Sequence, residues 1–243
     1  LAYRFMNVLG IRDGRIVCAC RDFTFPDSRL VNFHDLKNSL SDDEPGFTED
    51  ASTGSGVVLA DVRSAIHRIP VLRSIDGVSD RFWDMFVVDA FIRNIDRNNT
   101  NRGVLRNPRG EFSLAPVYGN GNSFNNKRTE SGIERRLANP DLIRQDALDV
   151  RSCYVTDRGK PIAPLKYLAS GQDEECTKAL DRFMERYDPR SFHDLLDSIP
   201  SMSHGLTVVP DGFHEYHRRV CDYRYEHAFM EAWRELHPTV GFP

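Results

Sequence analysis

No stretch of this 243-residue chain constrains its fold more than residues 78–115, where an apolar run turns abruptly polar and then apolar again. Phe82, Trp83, Met85, Phe86, Val87, Val88, Ala90, Phe91 and Ile92 make residues 78–92 apolar on nearly every side. That spacing predicts a helix buried in the middle of a lobe rather than one lying on its surface. The helix runs straight into Arg93-Asn94-Ile95-Asp96-Arg97-Asn98-Asn99-Thr100-Asn101-Arg102-Gly103, a polar segment rich in asparagine. Val104-Leu105, the turn signal Asn107-Pro108-Arg109-Gly110 and the return Phe112-Ser113-Leu114-Ala115 predict a hairpin directly after it. A polar loop is thus gripped between a buried helix and a hairpin, and loops held on rigid elements are where chemistry is usually placed.

The rest of the chain supplies the frame. Residues 1–10 carry helical apolar spacing with a glycine stop but no initiator methionine and no capping residue ahead of them, so the chain is expected to begin inside a helix with something missing upstream. Asp13-Gly14 signals a turn and residues 15–20 a strand. Residues 41–56 are acidic, small and rich in breakers, and are expected to form a mobile loop in which Ser52, Thr53 and Ser55 are candidate phosphate acceptors. Helices are expected over residues 60–69, closed by Pro70, and over 141–150, 173–187, 189–199 and 211–236. An apolar content of 40% is enough for a sizeable core. A net charge of -4 argues against nucleic acid binding through bulk electrostatics. Five cysteines without CxxC spacing read as reduced thiols of a cytoplasmic protein. Cys18 and Cys20 fall on one face of the expected strand and read as packing groups. No stretch has the roughly 18 to 20 apolar residues of a membrane helix.

Phosphoryl transfer needs a carboxylate to orient the attacking hydroxyl and oxygen ligands to hold magnesium against the phosphates. Asp96 and Asn101 stand five residues apart after the buried helix, the spacing at which protein kinases place the first two of these groups. A second carboxylate is expected past the hairpin, and the residue there is Gly119. Taken alone, Asp96 and Asn101 also suit a loop capped by its own side chains. The basic pairs Lys127-Arg128, Arg135-Arg136 and Arg218-Arg219 read by default as surface charge, although Lys127 and Arg128, just past the segment that holds Gly119, are placed to meet phosphate or substrate. His214-Glu215-Tyr216-His217-Arg218 is not a zinc-protease helix, because Arg218 occupies the place of the second histidine.

The segments Asn94-Ile95-Asp96-Arg97, Asn101-Arg102-Gly103 and Leu114-Ala115-Pro116-Val117-Tyr118-Gly119 together resemble the HipA-like serine/threonine kinases, including the cell-translocating-kinase branch. The usual pattern there is Asn-x-Asp-Arg-x-x-x-Asn-x-Gly followed by Leu-Ala-Pro-x-Tyr-Asp. The resemblance implies an α+β, mostly α, kinase-like carboxyl-terminal lobe with a few strands and the amino-terminal lobe largely missing. Residues 1–30 would be a remnant of that lobe and the hinge, built of a helix and a strand. Residues 31–243 would be the helical lobe, with a catalytic loop at 94–103 and a metal segment at 114–124.

Carried over residue by residue, Asp96 would be the catalytic base and Asn101 a magnesium ligand. Tyr118 and Asn98 would lie near the nucleotide, with Asp22 and Phe23 at the hinge that meets the adenine. The resemblance also implies ATP and magnesium as cofactors, a protein substrate, an antitoxin-like protein partner as in toxin-antitoxin systems, and a bacterial cytoplasmic or secreted setting. Two departures point to impaired activity: no phosphate-gripping lysine lobe precedes Leu1, and Gly119 offers no carboxylate to a metal. Losing one preorganised electrostatic group costs about 100-fold to 1,000-fold in turnover. The reading from another class is a non-catalytic pseudokinase that binds a protein partner.

Overall fold

The computed structural model describes residues 7–41 and 56–238. The fold is α+β and mostly α. Of the helix expected over residues 1–10, residues 7–10 form a strand instead, and residues 1–6 lie outside the described residues. Strand β1 (Asn7–Arg12) pairs antiparallel with β2 (Arg15–Cys20), from Asn7 opposite Cys20 to Arg12 opposite Arg15. The reason is the turn. Asp13 and Gly14 both have positive φ, 51° and 69°, and a two-residue turn of this hand matches the twist of a hairpin. The apolar spacing of Val8, Leu9 and Ile11 suits either period, and cross-strand pairing decides it. Cys18 and Cys20 are exposed, which corrects their reading as packing groups.

Strand β3 (Arg29–Asn32) leads into helix α1 (Phe33–Ser41). The candidate phosphate acceptors Ser52, Thr53 and Ser55 lie outside the described residues. Strand β4 (Val57–Val58) is followed by α2 (Leu59–Arg68) and α3 (Pro70–Arg73). Pro70 therefore opens a short helix as well as closing one, since a proline at the first helical position gives up no intrahelical bond. Helix α4 (Val78–Ile92) is the predicted central helix. After it come β5 (Gly103–Arg106) and β6 (Phe112–Leu114), the predicted hairpin, which joins β3 in a sheet of order β3-β5-β6.

Beyond the hairpin run α5 (Glu130–Leu137), α6 (Pro140–Leu148), β7 (Tyr154–Val155), α7 (Pro164–Ser170), α8 (Glu174–Arg186) and α9 (Pro189–Asp197). A short hairpin, β8 (Met202–Ser203) with β9 (Leu206–Thr207), precedes α10 (Phe213–Arg224). A π-helical turn at Tyr225–Phe229 then leads into α11 (Met230–Leu236), so the predicted final helix is continuous but locally unwound by one residue. No helix among the described residues is long and apolar enough to cross a membrane.

The main core gathers around α4. Trp83, Phe86 and Val87 are fully enclosed, with Tyr154 and Tyr167 against their rings and Ala179 and Leu180 of α8 alongside. Burying each of the large side chains contributes about 1.5–3 kcal/mol, which fixes α4 in place and with it everything attached to its end. A smaller core of Ile133, Ile143, Ala147, Tyr216 and Val220 joins α5, α6 and α10.

Candidate functional site

Helix α4 stops at Arg93, which takes a left-handed conformation with φ 56° and donates its N–H to the Asp89 carbonyl. The polar loop then turns back on the helix through one buried carboxylate. Asp89 accepts from Asn94 Nδ2 at 3.0 Å and from Arg97 Nε and Nη2 at 2.7 and 2.9 Å. Burial pushes the Asp89 carboxyl up, and the hydrogen bonds and charge of Arg97 pull against it. Burial works against the Arg97 charge too, and Asp89 more than restores it. Arg97 also donates to the carbonyls of Asn101, at 3.0 Å, and of Tyr118, and to the Asn120 side chain. A single buried guanidinium thereby ties the loop to the segment after the hairpin. Asp89 escaped the sequence reading. Its signal was a carboxylate in the most apolar stretch of the helix, between Val88 and Ala90 and eight residues before Arg97.

Asp96 is half-buried and its oxygens are taken by amides. Oδ1 accepts from Asn98 Nδ2 at 2.8 Å, and Oδ2 from Asn122 Nδ2 at 2.9 Å and Asn101 Nδ2 at 3.4 Å. Asn101 Nδ2 also reaches the Asp96 carbonyl at 2.6 Å. Asn98 is held in turn, its Oδ1 accepting from the N–H and hydroxyl of Thr100 at 2.9 and 2.6 Å. Asn122 is a second residue that the sequence reading did not single out.

Gly119 lies against this cluster. Its φ is 73°, and a Cβ built there would stand 2.6 Å from Asn101 Cγ and 2.7 Å from Asn101 Oδ1. The head of Asn101 thus fills the space where a side chain at 119 would begin. Tyr118 donates its hydroxyl to Asn32 Oδ1 at 3.0 Å, and burial pushes that hydroxyl up to about 12. The Phe23 ring packs on Tyr118 with centroids 5.6 Å apart. Asp22 instead turns outward. It is exposed and accepts from the N–H and hydroxyl of Thr24 at 2.8 and 2.7 Å, bonds that lower its carboxyl below the usual range. Asp96, Asn98, Asn101 and Gly119 therefore come together, Tyr118 adjoins them with Phe23 on its ring, and Asp22 makes a local turn. A groove of about 250 Å³ lies elsewhere, between α4 and α8, and is lined by none of these residues.

The donor set fits magnesium poorly. The ion is usually held by one or two carboxylates together with phosphate and water oxygens. Here Asp96 is the one carboxylate, and both its oxygens are engaged by amide donors. Gly119 adds none, and among the described residues no cluster of three His, Cys, Asp or Glu side chains could hold a metal. The arrangement is suited to accepting hydrogen bonds at Asp96 and donating them from the surrounding amides.

No family model matches the chain. A curated relative is the serine/threonine-protein kinase CtkA of Helicobacter pylori (strain J99), 32% identical over 199 residues, which are 81% of this chain and 59% of that protein. The match spans less than two thirds of that relative's length. The crystal structure of the Helicobacter pylori proinflammatory kinase CtkA superimposes with a TM-score of 0.83 at 27% identity, over 97% of this chain and 82% of that one. Sequence and fold together make the chain similar to CtkA, and this likeness supports a place in the HipA-like kinase branch.

Proposed function

We propose that the protein is a HipA-like serine/threonine kinase whose own phosphotransfer is impaired. Asp96 stands where the catalytic base belongs, positioned by Arg97 and Asn98, and Asn101 is the amide that would face a metal. Residues 7–30 serve as the hinge side of the cleft, with Phe23 and Tyr118 as an apolar wall for an adenine ring. The protein substrate and ATP follow from the likeness to CtkA. The observation that carries the impaired reading is the pairing of Gly119 with Asn101: the position that should present a carboxylate is a left-handed glycine, and the neighbouring amide has filled the space.

One observation favours a second reading, a non-catalytic module that engages a protein partner such as an antitoxin-like protein. The carboxylate of Asp96 is bonded by three asparagines, a stable resting arrangement that a hydroxyl substrate would have to break.

Calorimetry with ATP, with and without magnesium, and a phosphotransfer assay test the proposal on the unmodified chain and on Gly119→Asp. The expected result is nucleotide binding with little magnesium dependence in the unmodified chain, and a gain of that dependence in the variant. Kinase-like turnover by the unmodified chain overturns the impaired reading. Absence of any nucleotide binding favours the non-catalytic module.

A further inference from the structure

Three non-glycine residues with left-handed backbone meet at one junction beside the Asp96 loop. They are Arg93 at φ 56°, Phe124 at 57° and Asn125 at 50°, and the Phe124 N–H donates to the Ile92 carbonyl at 2.9 Å, joining the two stretches. Such conformations are strained for residues other than glycine, and strain of this kind collects where function needs a particular side chain. The end of α4 is a position where glycine is the favoured residue. Arginine stands there instead.

The charges around Arg93 are unbalanced. Arg93 has no carboxylate within ion-pair distance among the described residues, and its Nε makes one long contact, to the Asp149 carbonyl at 3.5 Å. Arg128 donates to Asp146 at 2.5 Å and, through Nε, to the Tyr216 hydroxyl at 2.9 Å. Arg136 and the Tyr216 hydroxyl bond the other oxygen of Asp146. Arg224 is fully buried and spends its donors on the carbonyls of Ala147, Asp146 and Phe91. Two guanidiniums, those of Arg128 and Arg136, thus share the Asp146 carboxylate, and Arg93 and Arg224 add positive charge beside it with no ion-paired carboxylate of their own among the described residues. Asp149, the other acidic group near Arg93, pairs with Arg151 at 3.9 Å. The local field is positive enough to be felt by a neighbour: burial first, and then Arg224 and Arg128, push His217 down to about 3. In a chain of net charge -4 this is a local excess of positive charge.

We infer that Arg93 and Arg128 form a receptor for a phosphate monoester carried on a protein chain. Two guanidinium groups with a surplus of charge favour a dianion with three acceptor oxygens over a single carboxylate. The place suits the ligand. Arg93 is three residues before Asp96 and follows Ile92, whose carbonyl takes the Phe124 N–H, while Asn125 and Arg128 both donate to the Tyr216 hydroxyl, so a bound phosphoresidue would lie beside the Asp96 loop. The inference goes beyond the proposed function and is read by binding alone, so it can fail or hold whether or not the chain binds nucleotide.

The test is calorimetric titration with a blocked phosphoserine tripeptide and its unphosphorylated twin, together with thermal unfolding, on the wild type and on Arg93→Gly. Glycine relieves the left-handed strain at 93, so the variant is expected to unfold at the same temperature as the wild type or higher. It is also expected to bind the phosphopeptide at least tenfold more weakly, and the wild type to discriminate against the twin by a similar factor. Phosphatase treatment separates the sources of the phosphate. Binding that appears only after treatment means that a phosphate on this chain fills the site, and binding unchanged by treatment means that another chain supplies it. Equal binding of phosphopeptide by both proteins, equal binding of the twin, or a clear loss of stability in Arg93→Gly overturns the proposal.

Discussion

Arg97 does the work of several residues at once. Its guanidinium pairs with Asp89, holds the carbonyls of Asn101 and Tyr118, and reaches the Asn120 side chain, all away from solvent. Truncation would leave Asp89 as a buried charge without its partner, and such losses cost about 3–5 kcal/mol. Arg97→Ala is therefore expected to lower the urea unfolding free energy by roughly that amount, and Arg97→Lys by less, because lysine keeps the charge but lacks the fork. Gly119 is constrained differently. A Cβ there meets Asn101 at 2.6 Å, on a backbone with φ 73°. Gly119→Ala is expected to destabilise by about 1–3 kcal/mol. Gly119→Asp should cost less than the alanine change, since aspartate tolerates the left-handed region better. Equal losses, measured by chemical denaturation, would show that the Asn101 contact and not the backbone sets the cost.

Among the elements, α4 carries the site because its burial leaves it no freedom, and its end delivers the loop. Helix α8 packs beside it and begins at Asp173, a nearly buried cap whose Oδ1 accepts from the N–H groups of Glu175 and Cys176 at 3.1 and 3.3 Å. The same carboxylate pairs with Arg63 of α2 at 2.9 Å, so one side chain starts one helix and ties it to another. Losing such a cap costs about 0.5–2 kcal/mol. Asp173→Ala is expected to fall at or above the top of that range, and Asp173→Asn nearer the bottom, as read from thermal or urea unfolding. Helix α4, the β5–β6 hairpin and most later helices were legible in the sequence, since their apolar spacing and breakers are local signals. Strand β1 was not, because Val8, Leu9 and Ile11 suit a helix face as well as a strand and only pairing with β2 separates the two. The two-residue parallel pair of β4 with β7 joins Val57 to Tyr154, too short and too distant in sequence to leave a pattern.

For the molecule as a whole, acid sensitivity should centre on His217. Its ring lies among Phe213, Tyr216 and Phe124, and burial together with Arg224 and Arg128 holds it down to about 3. The unfolded chain binds that proton near the ordinary histidine value of about 6.5. The stabilisation from neutral His217 is thus fully present above about pH 6.5 and declines as pH falls toward 3, by up to about 1.4 kcal/mol per pH unit. His217→Phe is expected to flatten the urea midpoint between pH 6.5 and 4 relative to wild type, and an unchanged slope would assign the acid limb to other groups. The sequence by itself determined the mostly helical character, the central helix, and the placing of Asp96 and Asn101 on one loop, because apolar periodicity and short-range spacing are written locally along the chain, while the kinase-like class of fold came from the resemblance of its motifs. Only the tertiary structure decided that Asp89 anchors the loop through Arg97, that Asn101 fills the space beside Gly119, and that Arg128 and Arg136 share the Asp146 carboxylate with Arg93 and Arg224 close by. Those facts depend on groups far apart in sequence being brought within a few ångströms, where desolvation and charge act, and no local pattern records that distance.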